Sequence, residues 1–190
     1  LIMQYNISPE TLIDQRHPSA TVDKILSEEI NFELYKDNAV CPNGAMYRKD
    51  VRGFLPELME KIYKDRTIYK KKMLEAKQQY EKTKTKKLEK EIARCNNIQM
   101  ARKIQLNSAY GAIGNQYFRY YKLANAEAIT LSGQVSIRWI ENKMNAFINN
   151  ILKTEDVDYV IASDTDSIYL NLGPLVEVIY KDREKDAASI

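Results

Sequence analysis

From Glu57 to about Lys84 the chain contains neither glycine nor proline, and a second such stretch runs from about Leu88 to Ala109. Leu58, Ile62, Tyr69, Met73 and Leu74 recur near helical spacing in the first stretch. Ile92, Ile98 or Gln99, and Leu106 do so in the second. The segment between them, Lys82-Thr83-Lys84-Thr85-Lys86-Lys87, is short, polar and like-charged, which suits the tip of an antiparallel helix pair. Gly111 and Gly114 are expected to end the second helix. This pair constrains the fold most, because it reads as a long arm and leaves the flanking segments to build the body.

The arm also holds the charge. The net charge is only +3, but Glu60 to Glu91 carries 12 Lys/Arg against 6 Asp/Glu, and the remainder carries 17 against 20. A basic arm on a slightly acidic body suits contact with nucleic acid or nucleotide phosphates; interleaved Glu also permits a plain solvated helix face.

The flanks change period. Ser8-Pro9-Glu10 reads as a helix start with Ser8 as N-cap and Pro9 in the first turn. Ala39–Cys41 and Ala45–Tyr47 read as two short strands around Pro42-Asn43-Gly44, and Pro56 after Gly53 marks a boundary. A third helix is expected from about Asn125 to Leu152. Its broad apolar stripe includes Ile129, Ile137, Ile140, Met144, Phe147, Ile148 and Ile151, enough for burial on more than one side. Tyr159–Ala162 and Ile168–Leu170 are β-formers flanking Ser163-Asp164-Thr165-Asp166-Ser167, which reads as a hairpin with an acidic bend.

Composition excludes several classes. With 44% hydrophobic residues the chain is neither disordered nor fibrous, and no apolar run approaches the ~20 residues of a membrane span. Cys41, Cys95 and the single His17 cannot build a Cys/His zinc site, and the two cysteines fit plain interior or surface thiols of a reducing cytosol. The first residue is Leu1 rather than Met, which raises the expectation that the sequence is a piece of something larger.

Three groups of residues carry candidate chemistry. Asp164 and Asp166 are two apart, so in extended backbone both carboxylates leave one side, where hard oxygen ligands suit Mg²⁺; aspartates also favour turns for local hydrogen bonding. Lys103, Asn107, Tyr110 and Gly111, at offsets 0, 4, 7 and 8, share one helical face. A cation, an amide, a ring and bare backbone there can meet a triphosphate and a base, or can be a partly exposed amphipathic face. Arg66 and Lys70, four apart, either share an anion or stand in solvent.

Taken together these residues resemble a known family. Lys103-Ile104-Gln105-Leu106-Asn107-Ser108-Ala109-Tyr110-Gly111 is similar to the K-x-x-x-N-S-x-Y-G motif of B-family DNA polymerases, and Asp164-Thr165-Asp166-Ser167 to the D-T-D-S motif of that family. Tyr5 to Thr11 resembles the segment after the first catalytic motif in its T-even-phage members. Pro42-Asn43-Gly44, Met46-Tyr47, Lys49-Asp50 and Phe118-Arg119-Tyr120-Tyr121 continue the likeness over nearly the whole chain.

The resemblance implies an α+β fold in which helical-hairpin fingers, residues 57–118, are inserted in an incomplete antiparallel-sheet palm, residues 1–56 and 119–190. It implies template-directed DNA synthesis, with primer-template DNA and a dNTP as partners and two Mg²⁺ ions as cofactors. Asp164 and Asp166 would be the metal-binding catalytic carboxylates. Arg66, Lys70, Lys103 and Asn107 would hold the nucleotide. Tyr110 and Gly111 would line the nascent base pair, Asn115 would support that pocket, and Thr165 and Ser167 would shape the bend on the primer side. No membrane is implied, and the setting would be the cytoplasm of a bacterial host.

Two departures qualify this. Ala162-Ser163 stands where the family has Tyr-Gly, which adds a Cβ beside the primer terminus. The resemblance also starts just past the family's first motif, which supplies another metal-binding Asp, and it lacks the exonuclease and thumb segments. The 190 residues are therefore expected not to extend a primer alone. A non-catalytic nucleic-acid-binding module and one subunit of a split polymerase are the rival expectations.

Overall fold

The computed structural model describes residues 1–180; the last ten residues of the expected second palm segment lie outside the described residues. The order of elements is α1 (Ile2–Tyr5), β1 (Leu12–Ile13), α2 (Val22–Leu26), a 3₁₀ turn (Phe32–Tyr35), β2 (Asn38–Val40), β3 (Met46–Arg48), α3 (Phe54–Thr83), α4 (Lys86–Ile113), α5 (Leu123–Leu152), β4 (Val160–Asp164), β5 (Ser167–Leu170) and α6 (Gly173–Ile179). Helices with two small antiparallel sheets make this an α+β fold, as expected. One sheet has the order β1-β3-β2, with Ala39 opposite Tyr47; the other is the β4-β5 hairpin.

The three long helices fall where the sequence periodicity puts them, α3 and α5 starting earlier than expected and α4 longer at both ends. α3 begins before Pro56, which a first helical turn tolerates because its N–H would be unpaired anyway. α4 runs through Gly111 and stops at Gly114. Gly111 is therefore an interior helical residue rather than a terminator. The short elements α1, α2, α6 and the 3₁₀ turn carry too few periodic residues to stand out in the sequence.

α3 and α4 pair as an antiparallel coiled coil. Its seam alternates in steps of four and three: Leu55, Met59, Ile62, Arg66, Tyr69, Met73, Ala76 and Tyr80 face Leu88, Ile92, Cys95, Gln99, Arg102, Leu106, Ala109 and Ile113, all buried or half-buried. Leu58 and Leu74 lie off this seam and are exposed. The tip is the Lys84-Thr85 turn, with Lys84 in the left-handed region at φ 47°.

Ser8 does cap a helix, but not the local one. Residues 8–11 form a turn, and the first N–H groups of α3 are satisfied from this segment: Gly53 N–H donates to Asn6 Oδ1 at 2.9 Å, Phe54 N–H to Glu10 Oε1 at 2.6 Å, and Leu55 N–H to Ser8 Oγ at 3.4 Å. Asn6 also donates to the carbonyls of Arg48 and Val51. Gly53 has to be glycine, because a Cβ there would lie 2.6 Å from Ser8 Cβ.

The core sits where α5 crosses the first sheet. Ile7, Ala39, Cys41, Ala45, Tyr47 and Ala128 form one cluster, and Leu55, Ile113 and Ala126 join the base of the coiled coil to α5. Tyr47 donates from its hydroxyl to Asn125 Oδ1 at 2.8 Å, and Asn43 Nδ2 donates to Ala124 O at 2.9 Å. Burial pushes the Cys41 thiol up to about 12, so it remains a neutral packing group. Further along α5, Trp139, Ile140, Phe147 and Ile151 are exposed among the described residues.

Candidate functional site

The acidic hairpin is held on α5 by two asparagines one helical turn apart. Asn145 Oδ1 accepts from Tyr159 N–H at 2.9 Å while its Nδ2 donates to Asp158; Asn149 Nδ2 donates to Val157 O at 2.8 Å. Tyr159 is buried, and its hydroxyl lies 2.9 Å from Thr154 Oγ1. Neither asparagine stands out in the sequence, because each interrupts an apolar stripe that is readable without it.

At the bend the backbone does not stay extended. Asp164 pairs with Ser167, Thr165 takes the left-handed conformation at φ 51°, and Asp166 N–H donates to Asp164 O at 2.6 Å. The two carboxylates are thus presented by a tight turn, not by strand alternation. A β-branched residue is a rare occupant of this region, and holding it there costs on the order of 1 kcal/mol. Thr165 Oγ1 donates to Asp164 Oδ1 at 2.9 Å and Ser167 Oγ donates to Asp164 O at 3.2 Å, so both hydroxyls brace the bend. All four residues of the turn are exposed. Ser163 pairs with Ile168 in ordinary strand backbone with negative φ, so this position makes no demand for glycine. A bulge between Val160 and Ala162 precedes it.

A cleft of about 640 Å³ separates this bend from the lower end of α4. Tyr110 forms one wall, Ser163, Thr165 and Asp166 another, and the α5 residues Ile129, Thr130, Gly133, Ile137 and Ile140 the floor. The Tyr110 hydroxyl and Thr130 Oγ1 are 2.8 Å apart, and Thr130 also donates to Ala126 O. Thr130 carries little signal in the sequence, only a hydroxyl beside the apolar stripe of α5.

The cleft brings together only part of the expected set. Lys103, Asn107 and Gly111 are exposed on α4 with Tyr110, and Lys103 lies two turns, about 10 Å, further up the helix. Lys70 is exposed on α3, whereas Arg66 is half-buried in the seam with its Nε unpartnered. None of these cations lines the cleft. Asn115 follows α4, and its Oδ1 accepts from Tyr117 N–H at 3.0 Å, an Asx-type turn that starts the crossing to α5. A Cβ built on Gly111 meets nothing within 4 Å.

The fold is one found in DNA polymerases: the structure of the family B DNA polymerase from the hyperthermophilic archaeon Pyrobaculum calidifontis matches with a TM-score of 0.52 at 23% identity, covering 95% of this chain and 20% of that one. The model of DNA polymerase family B matches residues 1–178, and the chain belongs to that family. Among its relatives, the DNA-directed DNA polymerase of Enterobacteria phage T4 is 34% identical and that of Escherichia phage RB69 31% identical, each match covering 98% of this chain. The chain spans 25% of the length of each of these relatives. No helix of the described residues is long and apolar enough to cross a membrane.

Proposed function

We propose that this chain contributes to template-directed DNA synthesis as part of a larger polymerase. The supporting observation is the cleft that sets Tyr110 against Thr165 and Asp166, below an α4 face that carries Lys103 and Asn107. In this reading residues 1–56 and 119–190 belong to the palm and 57–118 to the fingers, with primer-template DNA, a dNTP and further polymerase segments as partners in the host cytoplasm.

The reaction joins the primer 3′-oxygen to the α-phosphorus while the bond to the bridging oxygen breaks and pyrophosphate leaves. Lys70, Lys103 and Arg66 steady the β- and γ-phosphates, and Asn107 extends the same stripe toward the sugar and base. Tyr110 forms a wall for the nascent pair, and Gly111 leaves the helix backbone bare beside it. Asn115 sets the turn that supports this pocket. Thr165 and Ser167 hold the bend at the primer end.

Asp164 and Asp166 suit Mg²⁺. They are exposed hard-oxygen donors, and neither is in an ion pair among the described residues. No group of three or more His, Cys, Asp or Glu able to hold a metal occurs among the described residues, so two carboxylates fit an ion that keeps several waters and takes phosphate oxygens. Asp166, on the cleft wall, is the stronger candidate for direct ligation. When bound, two such ions neutralise charge on the attacking and leaving oxygens. Two carboxylates on one turn are too few protein ligands for that pair of ions, so the 190 residues by themselves do not extend a primer.

Mg²⁺ titration of the purified chain tests this. Saturable amide shifts at Thr165, Asp166 and Ser167, lost in Asp164→Asn/Asp166→Asn, are expected. Absence of those shifts, or primer extension by the chain alone, contradicts it.

A further inference from the structure

Apart from Gln99 one layer away, the α3–α4 seam is without charged or amide side chains except at its middle, where Arg66 and Arg102 meet at one level. The level follows from the antiparallel register, which sets Leu55 near Ile113 at the base and Asp65 3.4 Å from Arg102 halfway up. Two guanidiniums in one layer repel, and both Nε groups are buried without a hydrogen-bond partner. The side chains therefore have to leave the layer in opposite directions.

The heptad pattern tells which way each goes. Written with Leu55 at d, Lys70 on α3 and Lys103 and Tyr110 on α4 all fall at e, while Asp65 and Gln105 fall at g. In an antiparallel pair the e positions share one flank and the g positions the other. Arg102 goes to the g flank: its Nη2 is the atom paired with Asp65, and Nη1 donates to Gln105 Oε1 at 2.9 Å. Asp65–Arg102 is the one ion pair joining α3 to α4 among the described residues. Arg66 is left to the e flank, with Lys70 and Lys103.

We infer that Asp65 is a positioning residue for triphosphate recognition: by drawing Arg102 to the far flank it turns the Arg66 guanidinium toward Lys70 and Lys103. This rests on the reading of that flank as a triphosphate site. Asp65 itself touches no ligand, and it lies on the side of the hairpin away from the phosphates.

The sign of one substitution separates positioning from bulk charge. Asp65→Asn removes a negative charge, so simple electrostatics makes an anion bind more tightly. Positioning makes it bind more weakly, because a released Arg102 competes for the layer and Arg66 loses its outward bias. Binding of inorganic triphosphate to the 190-residue chain is measured at low salt by calorimetry, with helicity and thermal unfolding recorded for each variant. Asp65→Asn is expected to weaken binding about threefold to tenfold, the scale of one charge-assisted contact made less often. Asp65→Glu should stay within about twofold of the parent, since a carboxylate still holds Arg102. Arg102→Met should unfold at a higher temperature, having an apolar seam residue, and yet bind triphosphate more weakly. Unchanged or tighter binding by a folded Asp65→Asn variant overturns the inference while leaving the triphosphate site standing. Loss of affinity in Lys103→Ala supports that site; binding indifferent to Lys103→Ala removes the site and the inference together.

Discussion

The hydroxyl of Tyr110 lies 2.8 Å from Oγ1 of Thr130, a contact that ties the lower end of α4 to α5 across the floor of the cleft. Both residues are exposed, so the hydrogen bond is worth about 0.5–1 kcal/mol and serves chiefly to fix the ring as a wall of the cleft. In urea unfolding, Tyr110→Phe should destabilise by about that amount, Thr130→Val by somewhat more because its bond to Ala126 O goes too, and the double variant by no more than Thr130→Val alone. Additive losses would mean that the two hydroxyls do not act as a pair.

Gly111 is a poor choice for the fold alone. It sits inside a helix with open space where a Cβ would be, so Gly111→Ala should stabilise the chain by about 0.5–1 kcal/mol, or roughly 1–4 °C in thermal unfolding. Under the proposed function the same change should lower nucleotide incorporation in a complete polymerase, because on that reading the added methyl group faces the nascent pair. An alanine variant that is both more stable and fully active would remove the functional reading of Gly111.

The long helices and the acidic hairpin were readable because each repeats a local signal: periodicity without breakers, then two β-forming arms around a carboxylate pair. The family followed from the two motifs on those elements. What was not readable depends on contacts distant in sequence. Ser8 looked like a local N-cap, but its oxygen serves Leu55, which only the folded chain brings near. Leu58 and Leu74 are among the apolar residues near helical spacing, yet they are exposed and the seam runs through Arg66 and Arg102, whose aliphatic stems pack while their charged ends leave. Asn145 and Asn149 carry no sequence signal, although they hold the hairpin on α5.

The cap on α3 should be sensitive to substitution and to acid. Gly53→Ala forces a Cβ into Ser8 and should cost about 1–3 kcal/mol. Burial raises the Glu10 pKa, but hydrogen bonds from Ser8 and Phe54 N–H outweigh it, and the folded value lies below 4.5. A depressed carboxylate contributes stability that is complete above 4.5 and is lost as pH falls through the folded value. The protection factors of the Phe54 and Leu55 amides, measured against their intrinsic exchange at each pH, should therefore fall below pH 4.5 in the parent, and Glu10→Gln should have lower protection already at neutral pH with no such acid dependence. Exchange independent of Glu10 would contradict the cap.

The buried thiols give a check on the core. Cys41 is raised from 9.0 to about 12, so its contribution to stability is complete below pH 9 and declines as pH rises toward 12. Cys95 is fully buried in the seam. At pH 8 a thiol reagent should label neither residue in the folded chain and both after denaturation; rapid labelling of Cys41 in the native chain, located by peptide mapping, would place it outside the core.

The central claim is that Asp164 and Asp166 belong to a nucleotidyl-transfer centre. Its most direct test replaces the matching quarter of the phage T4 polymerase with this chain and measures Mg²⁺-dependent primer extension. The hybrid should extend the primer, and Asp166→Asn should reduce the rate by at least about a thousandfold without changing thermal stability, as expected when charge stabilisation at the reacting oxygens is lost. An active hybrid whose rate is unaffected by Asp166→Asn would contradict the account.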